Sequence, residues 1–225
     1  MGVCKLKKAF SAIELVFVII IIGVLSVVAT PYFSRDDLAL ASSQLLSHIK
    51  YTQHLALSED FYSTSEAKWY LKRWQIRFFK NNGEIFYSVF SDREMTSRIS
   101  QRSDHIDSAL DPLTRNPLFY CNQLGPACTT NNNLKSDDVR LTLKYNITDI
   151  SVSCYVKDSL GALSGQSGAI VFDALGRPYA GILDDTDFNP YKLLLNAPCD
   201  ITLTHSSGNQ ATIRVYPETG FAIEL

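Results

Sequence analysis

The strongest pattern along the chain is an apolar run near its start. From Phe10 to Thr30 there are twenty-one residues with one charge, Glu14, and Pro31 closes the run. As a helix rising ~1.5 Å per residue it would measure roughly 30 Å, the hydrocarbon thickness of a bilayer. It is also longer than a signal-peptide core. Past Pro31 the period stays helical: Leu38, Ala41, Leu45, Ile49, Thr52 and Ala56 recur at steps of three and four, with Arg35, Asp37, Lys50 and Gln53 elsewhere. This pattern predicts one long helix to about residue 57, kinked rather than ended at Pro31, whose amphipathic half packs on a globular domain.

Beyond residue 66 the period falls to two and β formers take over. RWQIRFFK and EIFYSVF flank Asn81-Asn82-Gly83, where Asn82-Gly83 supplies the positive φ of a tight hairpin turn. Further strands are expected in VRLTLKYNI (139–147), ISVSCYV (150–156), GAIVFD (168–173) and YAGIL (179–183). KLLLN, DITLTHS, ATIRVYP and FAIEL complete the set, broken by Gly and Pro turns. Residues 93–138 lack periodicity, are rich in Ser, Asn, Asp and Pro, and read as a variable insertion. The predicted fold class is α+β, a long N-terminal helix (transmembrane half plus amphipathic half) packed on antiparallel β-sheets.

Glu14 changes the meaning of the apolar run. A carboxylate inside such a span costs roughly 2.5–3.5 kcal/mol unless paired, and no Lys, Arg or His occurs from residue 9 to residue 34. A cation reaches that depth only as a new α-amino group, made by a cut before Phe10. Such an amine lies about one helical turn from Glu14 and can pair with it within the chain, or with the Glu14 of a neighbouring chain shifted along its axis. Lys5, Lys7 and Lys8 form a basic flank on the N-terminal side. That asymmetry predicts a cytoplasmic N-terminus, a single inner-membrane pass, and everything after Pro31 on the far side.

KKAFSAIELVFVIIIIGVL resembles the type III signal of type IV prepilins and type II secretion pseudopilins. The resemblance implies a leader of residues 1–9 cut after Ala9 by a prepilin peptidase, N-methylation of Phe10, and Glu14 as the filament-assembly carboxylate. It places Pro31 at mature position twenty-two, where these proteins kink the helix. The family usually carries Gly before the cut; here the residue is Ala9. RWQIRF, FDALGRP and TIRVYPETGFAIEL are similar to the H-type minor pseudopilin and FimT-like minor pilin domain, with its tryptophan strand, F-x-x-x-G turn and closing strand, Gly turn, strand. The implied organisation is leader 1–9, transmembrane and assembly helix 10–30, amphipathic continuation 31–60, and a periplasmic β-rich domain 61–225. The implied partners are other pilins or pseudopilins, the prepilin peptidase, an inner-membrane assembly platform, and membrane lipid before extraction into a periplasmic or surface filament.

Composition narrows the rest. The chain has 225 residues, 46% hydrophobic and 20% charged, and so can build a core. Its formal charge of −2 gives no overall field toward nucleic acid, and loss of the leader leaves 18 basic against 23 acidic residues, a formal −5. Lys68–Lys80 nonetheless interleaves basic and aromatic residues, which suits single-strand contacts. Arg73 and Arg77 are therefore candidate DNA contacts, as a competence pilin would need. The plainer reading is an outer strand with Trp74, Ile76 and Phe78 inward and Arg73, Gln75 and Arg77 in water. FimT members that bind DNA carry Gly-Arg and further basic residues in the last turn, where this chain has Thr219-Gly220-Phe221-Ala222.

Without Cys4, four cysteines remain and allow three pairings. Cys121–Cys128, closing a Pro-containing loop, and Cys154–Cys199, tying strand regions, are favoured over a zinc site, which C-x6-C without a nearby His suits poorly. Asp184, Asp185, Asp187 and Asn189 alternate like a calcium loop, but Pro190 stands where Gly is needed and Asn196 where Glu is needed. No metal or cofactor is expected. No nucleophile elbow, P-loop or zincin motif occurs, and the four histidines are scattered, so the chain reads as a non-enzyme.

Overall fold

The alternating residues 74–91 form the expected hairpin, and they bury side chains on both of its faces. In the computed structural model the described residues are 11–29, 36–81, 83–93, 95, 108–120, 136–154, 166–183 and 188–225. The chain divides into two compact units, Met1–Asp36 and Asp37–Leu225.

In the first unit, helix α1 spans Ala12–Ala29. In the second, α2 (Asp37–Ser58) precedes β1 (Trp74–Asn81) and β2 (Glu84–Ser91). A five-residue helix α3 (Leu141–Tyr145) leads into β3 (Ile147–Val152), then β4 (Gln166–Phe172) and β5 (Pro178–Ala180). Strands β6 (Cys199–His205), β7 (Gln210–Val215) and β8 (Ala222–Glu224) close the chain. They form two four-stranded antiparallel sheets, ordered β2-β1-β4-β5 and β3-β6-β7-β8. The hairpin register runs from Trp74 opposite Ser91 to Asn81 opposite Glu84, and β4 lies on the other edge of β1 with Ile76 opposite Ile170.

The apolar stripe of α2 is the seam. Ala41, Leu45, Ile49 and Ala56 share one core cluster with Ile76 and Phe78 of the first sheet and Ile201, Leu203, Ile213 and Val215 of the second. Spacing by three and four puts these residues on one helix face, so a single helix covers both sheets. Gln53, beside that stripe, ties them further. Its Nε2 donates to Gly176 O (2.9 Å) in the β4–β5 turn and to Thr219 O (2.7 Å) in the β7–β8 turn. Gly220 sits at φ +64, and a Cβ there would fall on Gln53 Nε2 and on the Gly176 carbonyl.

The sequence-based picture is corrected in several places. Helix α1 has 18 residues, a rise of roughly 27 Å against ~30 Å of hydrocarbon. Among the described residues no helix is long and apolar enough to cross a membrane. The transmembrane half of the expected helix, and the single-pass inner-membrane placement drawn from it, are therefore not supported. Lys5, Lys7, Lys8, Ala9, Phe10 and Pro31 lie outside the described residues, as does any kink at Pro31.

Residues 139–147 do not form the expected strand. Leu141 and Tyr145, four apart, are buried on one side of α3, and Asn146 ends the helix at φ 52 with its N–H on the carbonyls of Leu141 and Thr142. KLLLN makes one bridge, Leu194 to Tyr179, rather than a strand. Within 93–138, the described part is tied to the sheet: Val89 N donates to Leu118 O, Ala109 N donates to Val89 O, and Leu118 is fully buried.

Replacement of Gln53 by Ala removes two bonds to turn carbonyls and is expected to cost about 1–3 kcal/mol in urea unfolding. Gly220→Ala, strained in φ and crowded by the same amide, should cost at least as much.

Candidate functional site

The N-terminal turn of α1 holds the acid that the sequence singled out. Ser11 precedes the helix, and its backbone N and Oγ both donate to Glu14 Oε2, at 2.9 and 3.0 Å. Glu14 N in turn donates to Ser11 Oγ at 3.3 Å. This is the reciprocal S-x-x-E capping box, which satisfies amides that a helix start leaves open and places a negative charge where the helix dipole favours it. The reading of Glu14 as a carboxylate whose partner is a new Phe10 amine missed this, although Ser11 three residues upstream is the signal. Along the same helix Ile13, Leu15, Val16, Phe17, Ile20 and Leu25 are all exposed, Ile13 to 76%. A helix apolar all round is ordinarily covered by other structure.

In the basic, aromatic segment 68–80, Trp74, Ile76 and Phe78 face the core as expected, whereas the polar positions between them do not face water. Arg73 is 4% exposed and Arg77 fully buried, with Gln75 buried between them. The face expected in water is covered because Phe79, Phe86 and Phe90 gather Phe119 and Tyr120 over it, while Ala169, Val171, Tyr179 and Ile182 cluster beyond β4. Arg77 Nε donates to Gln75 Oε1 (2.8 Å), and its guanidinium lies 4.9 Å from the centre of the Phe90 ring. Arg73 Nη1 donates to Pro190 O (2.8 Å), and its guanidinium lies 4.4 Å from the Tyr179 ring and 5.1 Å from the Trp69 ring. Both arginine side chains are thus withdrawn from solvent, where a phosphate backbone would have to meet them.

A buried polar network was not anticipated from the sequence. His48, on the core face of α2 and 5% exposed, contacts Tyr87 Oη through Nδ1 (2.7 Å) and Asp111 Oδ2 through Nε2 (3.2 Å). Gln44 Nε2 donates to the same Tyr87 Oη (2.9 Å) and to Asp138 O, while its Oε1 accepts from Tyr145 and Lys144. Lys144 also pairs with Asp138 at 3.0 Å. Burial drives the Tyr87 hydroxyl far above its usual value. The Asp–His–Tyr line imitates a proton relay, but Tyr87 is 0% exposed and can meet no substrate. Its effect is to pin the 108–120 segment to the helix.

Burial also lowers the His48 pKa below its usual 6.5, a shift that Asp111 and Asp138 oppose and Lys144 assists. For Asp111, burial raises the pKa, and bonds from the amides of Thr114 and Leu113, with His48, more than reverse it.

The remaining candidates separate. Cys154 and Cys199 form a disulfide with Cα atoms 5.1 Å apart, joining the end of β3 to the start of β6. Cys121 and Cys128 lie outside the described residues, as do Asp184, Asp185 and Asp187. Asn189 is engaged locally, its Oδ1 accepting from Tyr191 N at 3.0 Å. Among the described residues no three His, Cys, Asp or Glu side chains are grouped to hold a metal. No family model, curated protein or solved structure matches the chain.

Two predictions follow from these geometries. Because His48 has a depressed pKa, the unfolded chain takes up a proton near pH 6.5 that the native state resists, so stability present above that pH is lost as pH falls below it. The thermal midpoint should drop between pH 7 and pH 5, and His48→Gln should flatten that slope while lowering the midpoint at pH 7; an unchanged slope would exclude His48 as its source. Replacing Cys154 and Cys199 together by Ala should cost about 2–4 kcal/mol, read from unfolding curves under non-reducing conditions.

Proposed function

We propose that the chain is a minor pilin-like or pseudopilin-like subunit, a structural component of a type IV pilus or type II secretion pseudopilus acting at the filament tip or in its initiation. The observation that carries this reading is α1: a helix whose large apolar side chains from Ile13 to Leu25 are exposed, opened by the single acid Glu14. Equivalent helices of other subunits, packed side by side, would remove that surface from water, at ~25 cal/mol per Å² of apolar area. Glu14, at the helix start, meets the α-amine of an adjoining subunit cut before its own first mature residue. The partners are other pilins or pseudopilins, with the prepilin peptidase and assembly platform acting before them. The β-rich unit, built from two sheets under one amphipathic helix, supplies the tip or initiation surface. Support also comes from two segments that carried the resemblance, FDALGRP and TIRVYPETGFAIEL, which converge on Gln53 through Gly176 and Thr219. The competence reading loses its named contacts, since Arg73 and Arg77 are both buried.

Glutamine serves a capping box as well as glutamate does, so Glu14→Gln removes the charge and keeps the helix start. In native cells the protein should begin at N-methylated Phe10 by intact mass and N-terminal sequencing. Glu14→Gln should lose at least tenfold of its co-purification with subunits identified as carrying the same Glu-headed apolar helix, whereas Ser11→Ala should keep most of it. An uncut leader, or undiminished association of Glu14→Gln, would overturn the reading.

A further inference from the structure

Gln44 and His48 lie one turn apart on α2, and the line of hydrogen bonds that runs through them has a direction fixed by its ends. At one end His48 Nε2 meets the Asp111 carboxylate at 3.2 Å. An ionised carboxylate only accepts, so Nε2 carries the ring proton, and in neutral His48 Nδ1 is left as an acceptor. Tyr87 Oη, 2.7 Å away, therefore donates to Nδ1. The same phenol oxygen accepts from Gln44 Nε2 at 2.9 Å. The Gln44 amide is itself oriented, because Nε2 also donates to Asp138 O while Oε1 accepts from Tyr145 Oη and from Lys144 Nζ. From Lys144 through Gln44, Tyr87 and His48 to Asp111, every donor points the same way.

A proton on His48 breaks this order. Nδ1 then becomes a donor aimed at Tyr87 Oη, and the phenol proton has to find another acceptor. Tyr87 is 0% exposed, so water cannot supply one. The other group bonded to the phenol is the Gln44 amide, which can accept only by turning Oε1 toward Tyr87. That turn sets Nε2 against the Lys144 ammonium and Oε1 against the Asp138 carbonyl, so the bonds to both are lost. A buried donor left without an acceptor costs more than a bond exchanged, which favours the turn. The bond from His48 to Asp111, by contrast, becomes charge-assisted and tightens.

The groups facing His48 come from each element around it: Tyr87 on β2, Asp111 in the 108–120 segment, Asp138 before α3, and Lys144 on α3. Burial raises the pKa of Asp111 and Asp138, and donors more than reverse it: the amides of Thr114 and Leu113 for the first, Lys144 and Asn116 for the second. Burial lowers Lys144, and its bond to Asp138 outweighs that. Both carboxylates and the ammonium therefore keep their charges while His48 titrates. We propose that His48, Tyr87 and Gln44 form a proton-operated latch, in which a proton taken up at His48 turns the Gln44 amide over and frees Asp138 and Lys144 from α2 while Asp111 stays held. Acid thus acts on one joint, between α2 and residues 138–145, and not only on overall stability. The latch lies within the β-rich unit and does not depend on the filament reading.

The test titrates the full chain, uniformly 15N-labelled in non-ionic detergent, from pH 8 to pH 4.5. His54, His105 and His205 are replaced together by Gln, which leaves His48 as the one imidazole and removes no member of the relay. At pH 8 the ring should carry its proton on Nε2, with Nδ1 resonating as an unprotonated nitrogen. As the ring charges, the Gln44 side-chain amide, assigned by its loss in Gln44→Met, should shift with the same midpoint as the ring, and so should the backbone amides of residues 138–145. Should Gln44→Met fail to fold, those backbone amides carry the comparison alone. In Tyr87→Phe the ring still titrates, but Gln44 and residues 138–145 should stop following it. A ring proton on Nδ1 at pH 8, or a ring that charges while Gln44 and residues 138–145 stay unmoved, overturns the proposal. An undiminished response in Tyr87→Phe, or no charging of His48 above pH 4.5, overturns it as well.

Discussion

Coverage of β1 on both faces is the constraint from which most of the molecule's peculiarities descend. An antiparallel sheet commonly keeps one face in water, and its strands then alternate apolar and polar residues. Here β1 lies between β2 and β4, with α2 and the second sheet over one face and aromatic and aliphatic clusters over the other. The polar positions of the strand thereby become interior positions. Arg77 is accommodated by Gln75 and the Phe90 ring, and Arg73 by Pro190 O and two aromatic rings, so each charge is housed by a different neighbourhood.

Much of the architecture was legible from period alone. The stripe Ala41, Leu45, Ile49, Thr52 and Ala56 is buried as the helical spacing requires, and the hairpin forms across Gly83 at φ 77. The strand expected at 139–147 misled because Leu141, Leu143 and Tyr145 alternate as a strand would, whereas the pair four apart faces the core and Asn146 supplies a left-handed stop. The fate of Arg73 and Arg77 was not legible, because alternation reports which residues differ and not whether a later segment will cover the second face. Of the covering residues, Tyr120, Tyr179 and Ile182 lie 39, 98 and 101 positions beyond the end of β1 at Asn81.

The same locality limits what could be read at the helix start. Ser11 and Glu14 are three residues apart, and their mutual bonds are a short-range event. A carboxylate that closes a capping box remains an acceptor for a second donor, since each carboxylate has about four lone-pair sites. Helix initiation and recognition of an amine can therefore share one side chain. His48 shows the opposite economy: its two ring nitrogens are both consumed inside the fold, one by a phenol and one by a carboxylate, leaving nothing for an outside ligand.

Gln53 gives the two sheets a mechanical linkage. One amide nitrogen grips carbonyls from turns 43 residues apart in sequence, Gly176 and Thr219, and Gly220 leaves no room between them. Lengthening either bend by a residue would drag on the other through this shared donor. The two loops are thus bound to vary in concert or not at all, unlike ordinary surface connections, which drift independently.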